Sequence, residues 1–287
     1  MQPINALSVV SLVLPRDMLL KLRLFPLVAM SILVSFTLAA APLEAKASKP
    51  ISHCMAPKYD EQVELEYVND GDTLTLSDGR LVRLIGIDSP EVDFQYPELS
   101  EPYGDEARHF LQKYLHPGQE LYLSFDQKKL DPFGRTLAYV YTLEGEHLQE
   151  TMLSRGFAKT RVYQNDYFWQ CLNDVELIAR DKKRGLWSHP DYQAKTVGEL
   201  SREDRNRWRE VKGVITGYER KGQHLWLIMD NKFYIGIPRE DYSKFSNILN
   251  LNLLETPVIV RGSLYYSYKK WQLISSHPSQ ISLQNRP

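Results

Sequence analysis

Cysteine is scarce in this chain of 287 residues: only Cys54 and Cys171 occur, with no Cys-x-x-Cys pair and no Cys/His cluster. That excludes the ligand spacings of structural zinc modules. The seven histidines (His53, His109, His116, His147, His189, His224 and His277) form no i, i+4 pair and sit in no Ser or Cys nucleophile motif. A histidine-held metal centre and a Ser/His/Asp hydrolase are therefore both unsupported. Net charge is also lacking, since 35 Lys and Arg balance 36 Asp and Glu to a formal −1, so no global bias marks a polyanion partner.

Long apolar runs are absent with one exception. Lys21 and Arg23 precede a mostly apolar stretch from Leu24 to Ala41, which ends in Ala39-Ala40-Ala41 followed by Pro42. A charged region, an apolar core and a small-residue cleavage site describe a signal peptide over residues 1–45, with Met18 as an alternative start. Export to the periplasm or the medium follows. The competing expectation is an uncleaved N-terminal anchor, because the run approaches the length of a membrane span. In an oxidising compartment the two cysteines are compatible with one disulfide or with two separate buried thiols, and the sequence leaves that choice open.

What the chain does contain is ordinary globular material, 43% apolar and 25% charged, enough for two modest cores. Its balanced charge conceals a division. Residues 211–287 hold ten Lys or Arg against five Asp or Glu, whereas residues 46–210 hold 22 against 29. The expected organisation is a leader to residue 45, a first domain over 46–190, a polar linker over 191–209 and a basic domain over 210–287. The linker's densest charge run, Ser201 to Arg207, reads as a solvated segment with a helical turn.

Early in the first domain stand Asp70-Gly71-Asp72-Thr73, then Arg83, then Asp88-Ser89-Pro90-Glu91, and later Asp131-Pro132-Phe133-Gly134-Arg135. Carboxylates suited to a hard cation, a further carboxylate and two arginines are the groups needed to cleave a phosphodiester. The anionic diester repels hydroxide, and charge grows on its oxygens during attack, so a cation with two guanidiniums lowers both barriers. Arginine's planar fork donates two parallel hydrogen bonds to a phosphate and never deprotonates.

Periodicity places these groups. Leu74, Leu76 and the run Leu81 to Ile87 are strand-like around Ser77-Asp78-Gly79-Arg80, where Asp-Gly predicts a two-residue hairpin turn. In that register Leu74 faces Arg83 and Asp72 faces Ile85, which sets Asp72 and Arg83 on one face. Glu120 to Phe125 and Thr136 to Thr142 read as further strands. Helical spacing appears at Ala107 to Leu115, at Leu148 to Leu153 closed by Gly156, and from Phe168 to Ile178.

From about Val63 to Trp187 the chain resembles the staphylococcal nuclease-like (thermonuclease) family. The resemblance rests on the Asp-Gly-Asp-Thr turn, the strand Arg83 to Asp88, Ser89-Pro90-Glu91, Tyr103-Gly104, the segment Asp131 to Tyr141 and Gly185-Leu186-Trp187-Ser188. It implies a mainly β fold with α, a five-stranded barrel of the OB type with three helices, a Ca2+ ion, and endonucleolytic hydrolysis of DNA and RNA. Carried over by position, it implies Asp72, Asp88 and the Ser89 carbonyl as calcium ligands. Glu91 becomes the base for the attacking water, Arg83 and Arg135 the phosphate clamps, and Tyr163 a substrate contact. Asp70 is a supporting group or a turn residue. Two positions depart from the family: Phe133 stands beside the second arginine where a tyrosine is usual, and Arg161 stands where a second substrate-side tyrosine is expected. The loop Val92 to Pro102 is also acidic, through Asp93, Glu98 and Glu101, where a basic one would be expected.

Beyond residue 210 the strand candidates are Val211–Tyr218, His224–Met229, Lys232–Pro238, Pro257–Tyr265 and Tyr268–Ser275, with a helix expected over Arg239–Leu251. Five strands with a helix between the third and fourth are the order of a second small OB-like barrel. Its Trp226, Tyr234, Tyr265, Tyr266, Tyr268 and Trp271, with Lys269 and Lys270, are the residue types that stack and hold single strands. Two functions stay open: a monomeric exported calcium-dependent nuclease acting on DNA and/or RNA, and a non-catalytic nucleic-acid-binding or envelope-docking protein that uses the barrels as scaffold.

Overall fold

Leu74, Leu76, Leu84, Leu121, Leu123 and Val140 are fully or almost fully buried, and the alternation that buries them closes the first five long strands on themselves. The computed structural model describes residues 53–284, so the expected leader over residues 1–45 lies outside the described residues. The strands are β1 (Glu61–Val68), β2 (Thr73–Leu76), β3 (Leu81–Leu84), a short β4 (Gly86–Asp88), β5 (Glu120–Ser124), β6 (Thr136–Thr142) and a short β7 (Lys159–Arg161). A closed barrel runs β1-β2-β3-β6-β5, with β3 and β6 parallel and its other neighbours antiparallel. Closure removes free edges. Helices α1 (Gly104–Tyr114), α2 (Leu148–Arg155) and α3 (Trp169–Asp181) pack around it. Gly156 ends α2 in the left-handed region at φ 75°, the geometry expected from its place after the last periodic residue.

The β2–β3 hairpin differs from the expected register by one residue. Thr73 pairs with Arg83 and Leu74 with Val82, so Leu74 does not face Arg83, and the Leu84 amide donates to the Asp72 carbonyl at 2.8 Å. The cause is a three-residue loop in place of a two-residue turn. Gly79 takes φ +85°, and Asp78 accepts from the Arg80 amide at 3.0 Å. A glycine at the left-handed position of a three-residue loop is the usual way a hairpin takes in one extra residue.

Within 191–209, charges turn inward rather than facing only water. Asp204 is fully buried, paired with Lys195 at 2.6 Å and Arg209 at 2.7 Å, and it accepts from the Ser201 amide at 2.9 Å. A short strand β8 (Lys195–Thr196) joins the next sheet. That sheet continues with β9 (Trp208–Lys221), β10 (His224–Met229), β11 (Phe233–Pro238), β12 (Pro257–Ser263), β13 (Tyr265–Ser267), β14 (Lys270–Ile274) and β15 (Ile281–Leu283). Its order is β13-β14-β11-β10-β9-β12-β15, with β11 and β14 parallel. The path from β12 through β9, β10 and β11 to β14 repeats the order of the first barrel, but no ladder joins β12 to β14 and the sheet is open.

The expected helix over 239–251 reduces to a 3-10 turn at Arg239–Asp241 and α4 (Ser246–Leu249). Between them the amides of Lys244, Phe245 and Ser246 each bond three residues back, to Asp241, Tyr242 and Ser243. Ser243, Ser246, Asn247, Asn250 and Asn252 are weak helix formers, and burial of Phe245 fixes the tighter path.

Two further ties organise the molecule. Cys54 and Cys171 form a disulfide across 117 residues, joining the segment before β1 to α3. Further along α3, Glu176 and Asn173 reach Arg261 of β12 at 2.6 and 3.1 Å, and Arg180 pairs with Glu210 of β9. Among the described residues no helix is long and apolar enough to cross a membrane.

Candidate active site

Strand β4 is short because Gly86, at φ +83°, bends the chain out of β3, and a Cβ there would meet Leu172 at 2.7 Å. After this bend β4 leaves the barrel and pairs with β7, which sets Asp88 opposite Lys159 and Gly86 opposite Arg161. The Asp70–Thr73 turn packs directly on the end of β4, since a Cβ on Gly71 would lie 2.0 Å from Ser89 Oγ. Only glycine allows this approach. The Ser89 amide then donates to Asp72 Oδ2 at 2.8 Å, and Ser89 Oγ donates to the Phe157 carbonyl at 3.1 Å.

The arginine of β3 ties both acids together. Arg83 contacts Asp72 at 2.9 Å and Asp88 at 3.3 Å, and also donates to the carbonyls of Leu84 and Ile87 at 2.7 and 3.1 Å. The changed hairpin register does not separate Asp72 from Arg83. Asp72 precedes β2, so the pleat does not dictate its direction, and the long arginine side chain spans the difference.

The two acids sit in opposite electrostatic settings. Burial raises both, but Lys159 at 2.7 Å, Arg161 at 2.8 Å and Arg83 bring Asp88 down to about 2. Asp72 is raised to about 7, because burial and the nearby charges of Asp70 and Asp88 outweigh Arg83. Asp70 acts locally, accepting from the Asp72 amide at 2.9 Å. Glu91 opens to solvent at the mouth, and partial burial together with Asp70 and Asp88 lifts it above the usual carboxylate range. Among the described residues its carboxylate has no ion-pair partner. Its backbone is held by Glu101, whose amide donates to the Glu91 carbonyl at 2.9 Å and whose carboxylate accepts from the Glu91 amide at 3.3 Å.

A cavity of about 580 Å³ gathers Arg83, Asp88, Glu91, Arg135 and Tyr163 on its walls, together with Phe133 and Arg161. Asp72 and Ser89 are buried and do not line it, and neither does Asp70. Arg135 is aimed by Asp131, which binds its Nε at 2.7 Å and its backbone amide at 2.9 Å. Phe133 and Tyr163 are 85% and 61% exposed, leaving two open rings at the rim.

Of three further contributors, Lys159 escapes the sequence motifs, while Arg161 and Asp131 were named in them without their contacts. Lys159 and Arg161 fall two apart on β7 and so share the face that meets Asp88; that alternation was the available signal. Asp131 had its place at the head of the Asp131 to Arg135 segment, four residues before the arginine it holds. A different group of possible ligands, Cys54, His147 and Glu150, lies outside the cavity, and the Cys54 sulfur is committed to the disulfide.

The profile of the staphylococcal nuclease homologue family matches residues 81–189. Over 126 residues the chain is 34% identical to the thermonuclease of Staphylococcus hyicus, an alignment covering 42% of this chain and 73% of that protein. The chain belongs to the staphylococcal nuclease homologue family. The thermonuclease of Staphylococcus intermedius is likewise 34% identical, over 44% of this chain and 76% of its own. Endonuclease YncB of Bacillus subtilis (strain 168) is 34% identical over 52% and 71%. Family membership makes the chain a nuclease-class enzyme, and the closed five-stranded barrel is its staphylococcal nuclease-like fold.

Proposed function

We propose that the protein is an exported, calcium-dependent endonuclease that hydrolyses phosphodiester bonds in DNA and RNA. The observation carrying this reading is the convergence of Arg83, Asp88, Glu91, Arg135 and Tyr163 on one cavity. Arg83, whose two terminal nitrogens are held at four points, would offer the phosphate its charge and its Nε–H, and Arg135, whose Nε is held by Asp131, would offer its terminal N–H groups. Because both are locked before substrate arrives, little ordering is left for the moment of reaction. Glu91 would accept the proton of the attacking water. Its raised affinity for protons and its lack of an ion-pair partner suit a base that must be ionised and unencumbered. Tyr163 would lie against the nucleoside.

The donor set fits a hard divalent cation. Asp72, Asp88 and the Ser89 carbonyl are all oxygen ligands. Burial first, and the charges of Asp70 and Asp88 after it, raise Asp72 to about 7, and a divalent cation beside it would favour the ionised carboxylate. Such an ion supplies positive charge to the phosphate and to the attacking water. Export is supported by the Cys54–Cys171 disulfide, a bond of oxidising compartments. The second sheet gathers Trp226, Tyr234, Tyr268 and Lys270 around one surface hollow, the composition of a single-strand contact.

Hydrolysis of labelled DNA and RNA with calcium and with EDTA tests the proposal. Activity is expected only with the ion, and Glu91→Gln is expected to lower turnover by about a hundredfold or more with an unchanged melting profile. Near-normal turnover of the variant defeats the assignment of Glu91. Absence of hydrolysis with every divalent ion favours the non-catalytic binding protein.

A further inference from the structure

Arg161 and Tyr163 line two cavities at once. One is the site cavity, and the other, of about 230 Å³, opens between β7 and the second sheet. The far walls of this cleft come from the second sheet and its approaches: Trp208, Ser263, Tyr265 and Ser276. We propose that this cleft is a nucleotide subsite, in which an unpaired nucleotide next to the scissile phosphate is held between the two β units. The proposal rests on the nuclease reading of the first cavity and extends it to residues outside the family match.

Four observations carry it. Adjacency comes first: Arg161 and Tyr163 line both cavities, so a strand lying across Tyr163 has Arg161 beside it and the cleft next to it. Charge comes second. Arg161 pairs with Asp88 at 2.8 Å, yet its side chain is 44% exposed and its guanidinium lies over the Tyr163 ring at 5.1 Å. A guanidinium so placed can meet a phosphate on either side. Chemistry comes third, because Tyr163 and Tyr265 are exposed rings flanking serine hydroxyls, matching a base that stacks on its faces and bonds at its edge. The fourth is that the cleft is built rather than incidental. The buried pair Glu176–Arg261, at 2.6 Å, and Arg180–Glu210 clamp α3 to β9 and β12, while Trp208 and Ser263 face each other in the β9–β12 ladder. At about 230 Å³ the cleft has room for a single nucleobase and not for a base pair with its two backbones.

The test measures fluorescence anisotropy of a labelled single-stranded 12-mer with the whole chain in EDTA, where turnover does not interfere. Hydrolysis of the 12-mer and of a small thymidine aryl phosphodiester is followed in parallel with calcium. Tyr265→Ala, and Ser263→Trp as a filling variant, are expected to weaken 12-mer binding about tenfold, the effect of losing one stacked base. KM for the 12-mer should rise correspondingly, with turnover of the small diester unchanged. Tyr218→Ala, which alters an exposed ring of β9 outside the cleft, should change nothing. Unaltered 12-mer binding by both cleft variants overturns the proposal, and so does an equal loss on a blunt duplex. If wild type binds the 12-mer through the cleft but hydrolyses neither substrate, the nuclease reading fails while the subsite stands.

Discussion

At the scale of single residues, the arrangement is one in which each group proposed to act on the phosphate has a keeper. Asp131 keeps Arg135, Glu101 keeps the backbone of Glu91, and Lys159 keeps Asp88 ionised. Asp131→Asn retains an acceptor for the turn amides but loses the charge that fixes the Arg135 guanidinium. Turnover should fall about tenfold or more, with unaltered thermal melting, since small misplacements of a positioning group have effects of that size. His147 offers a different test. Its ring is buried and stacked 4.5 Å from Tyr141, neither nitrogen has a hydrogen-bond partner, and burial depresses its pKa to about 3. The unfolded chain takes up a proton below about 6.5 and the folded chain does not until about 3, so this contribution is complete above 6.5 and erodes as pH falls between those values. In His147→Phe, the difference in melting temperature between pH 7 and pH 5 should shrink. That Asp72, Arg83, Asp88, Glu91 and Arg135 lie together was legible from sequence because motif spacing and chemistry agreed. Their keepers were not, because Lys159 and Asp131 act through contacts between distant segments or within a turn.

At the scale of elements, strand identity followed from alternation, while register and closure did not. β5 was legible to within a residue and β6 throughout, but the β2–β3 hairpin slipped by one because Gly79 absorbs an extra residue. Alternation reports faces and does not count loop residues. β4 was read as the continuation of the strand Leu81 to Ile87, the bend at Gly86 leaving no mark in the alternation, and β7 was hidden because it is three residues long and carries no period. The disulfide acts at this scale too. It closes a loop of 117 residues between the lead into β1 and α3, and neither cysteine lines the site cavity. Replacing both by serine should lower unfolding free energy by about 2–4 kcal/mol in urea titration while turnover per folded molecule is retained.

At the scale of the molecule, the two β units are coupled by charge buried where they meet. Arg261 is 3% exposed and compensates Glu176, which is fully buried, with Glu210 and Arg180 alongside. Removing one partner of such a group strands the other, so Arg261→Ala should destabilise the chain by about 3–5 kcal/mol in denaturant titration. Replacing Arg261 and Glu176 together by apolar residues should recover much of that loss. The charge contrast between residues 46–210 and 211–287 was visible in sequence, but not that α3 and β9 would bury part of it. The consequence concerns whether the two units can be parted. Cys171, Leu172 and Glu176 lie within six positions of α3, and they serve in turn the strap from Cys54, the bend at Gly86 and the grip on Arg261. A second sheet docked through the catalytic unit's own helix is not a detachable cassette: without it Glu176 would lose Arg261 and Arg180 would lose Glu210, so the first barrel prepared alone is expected to need replacements at these α3 positions.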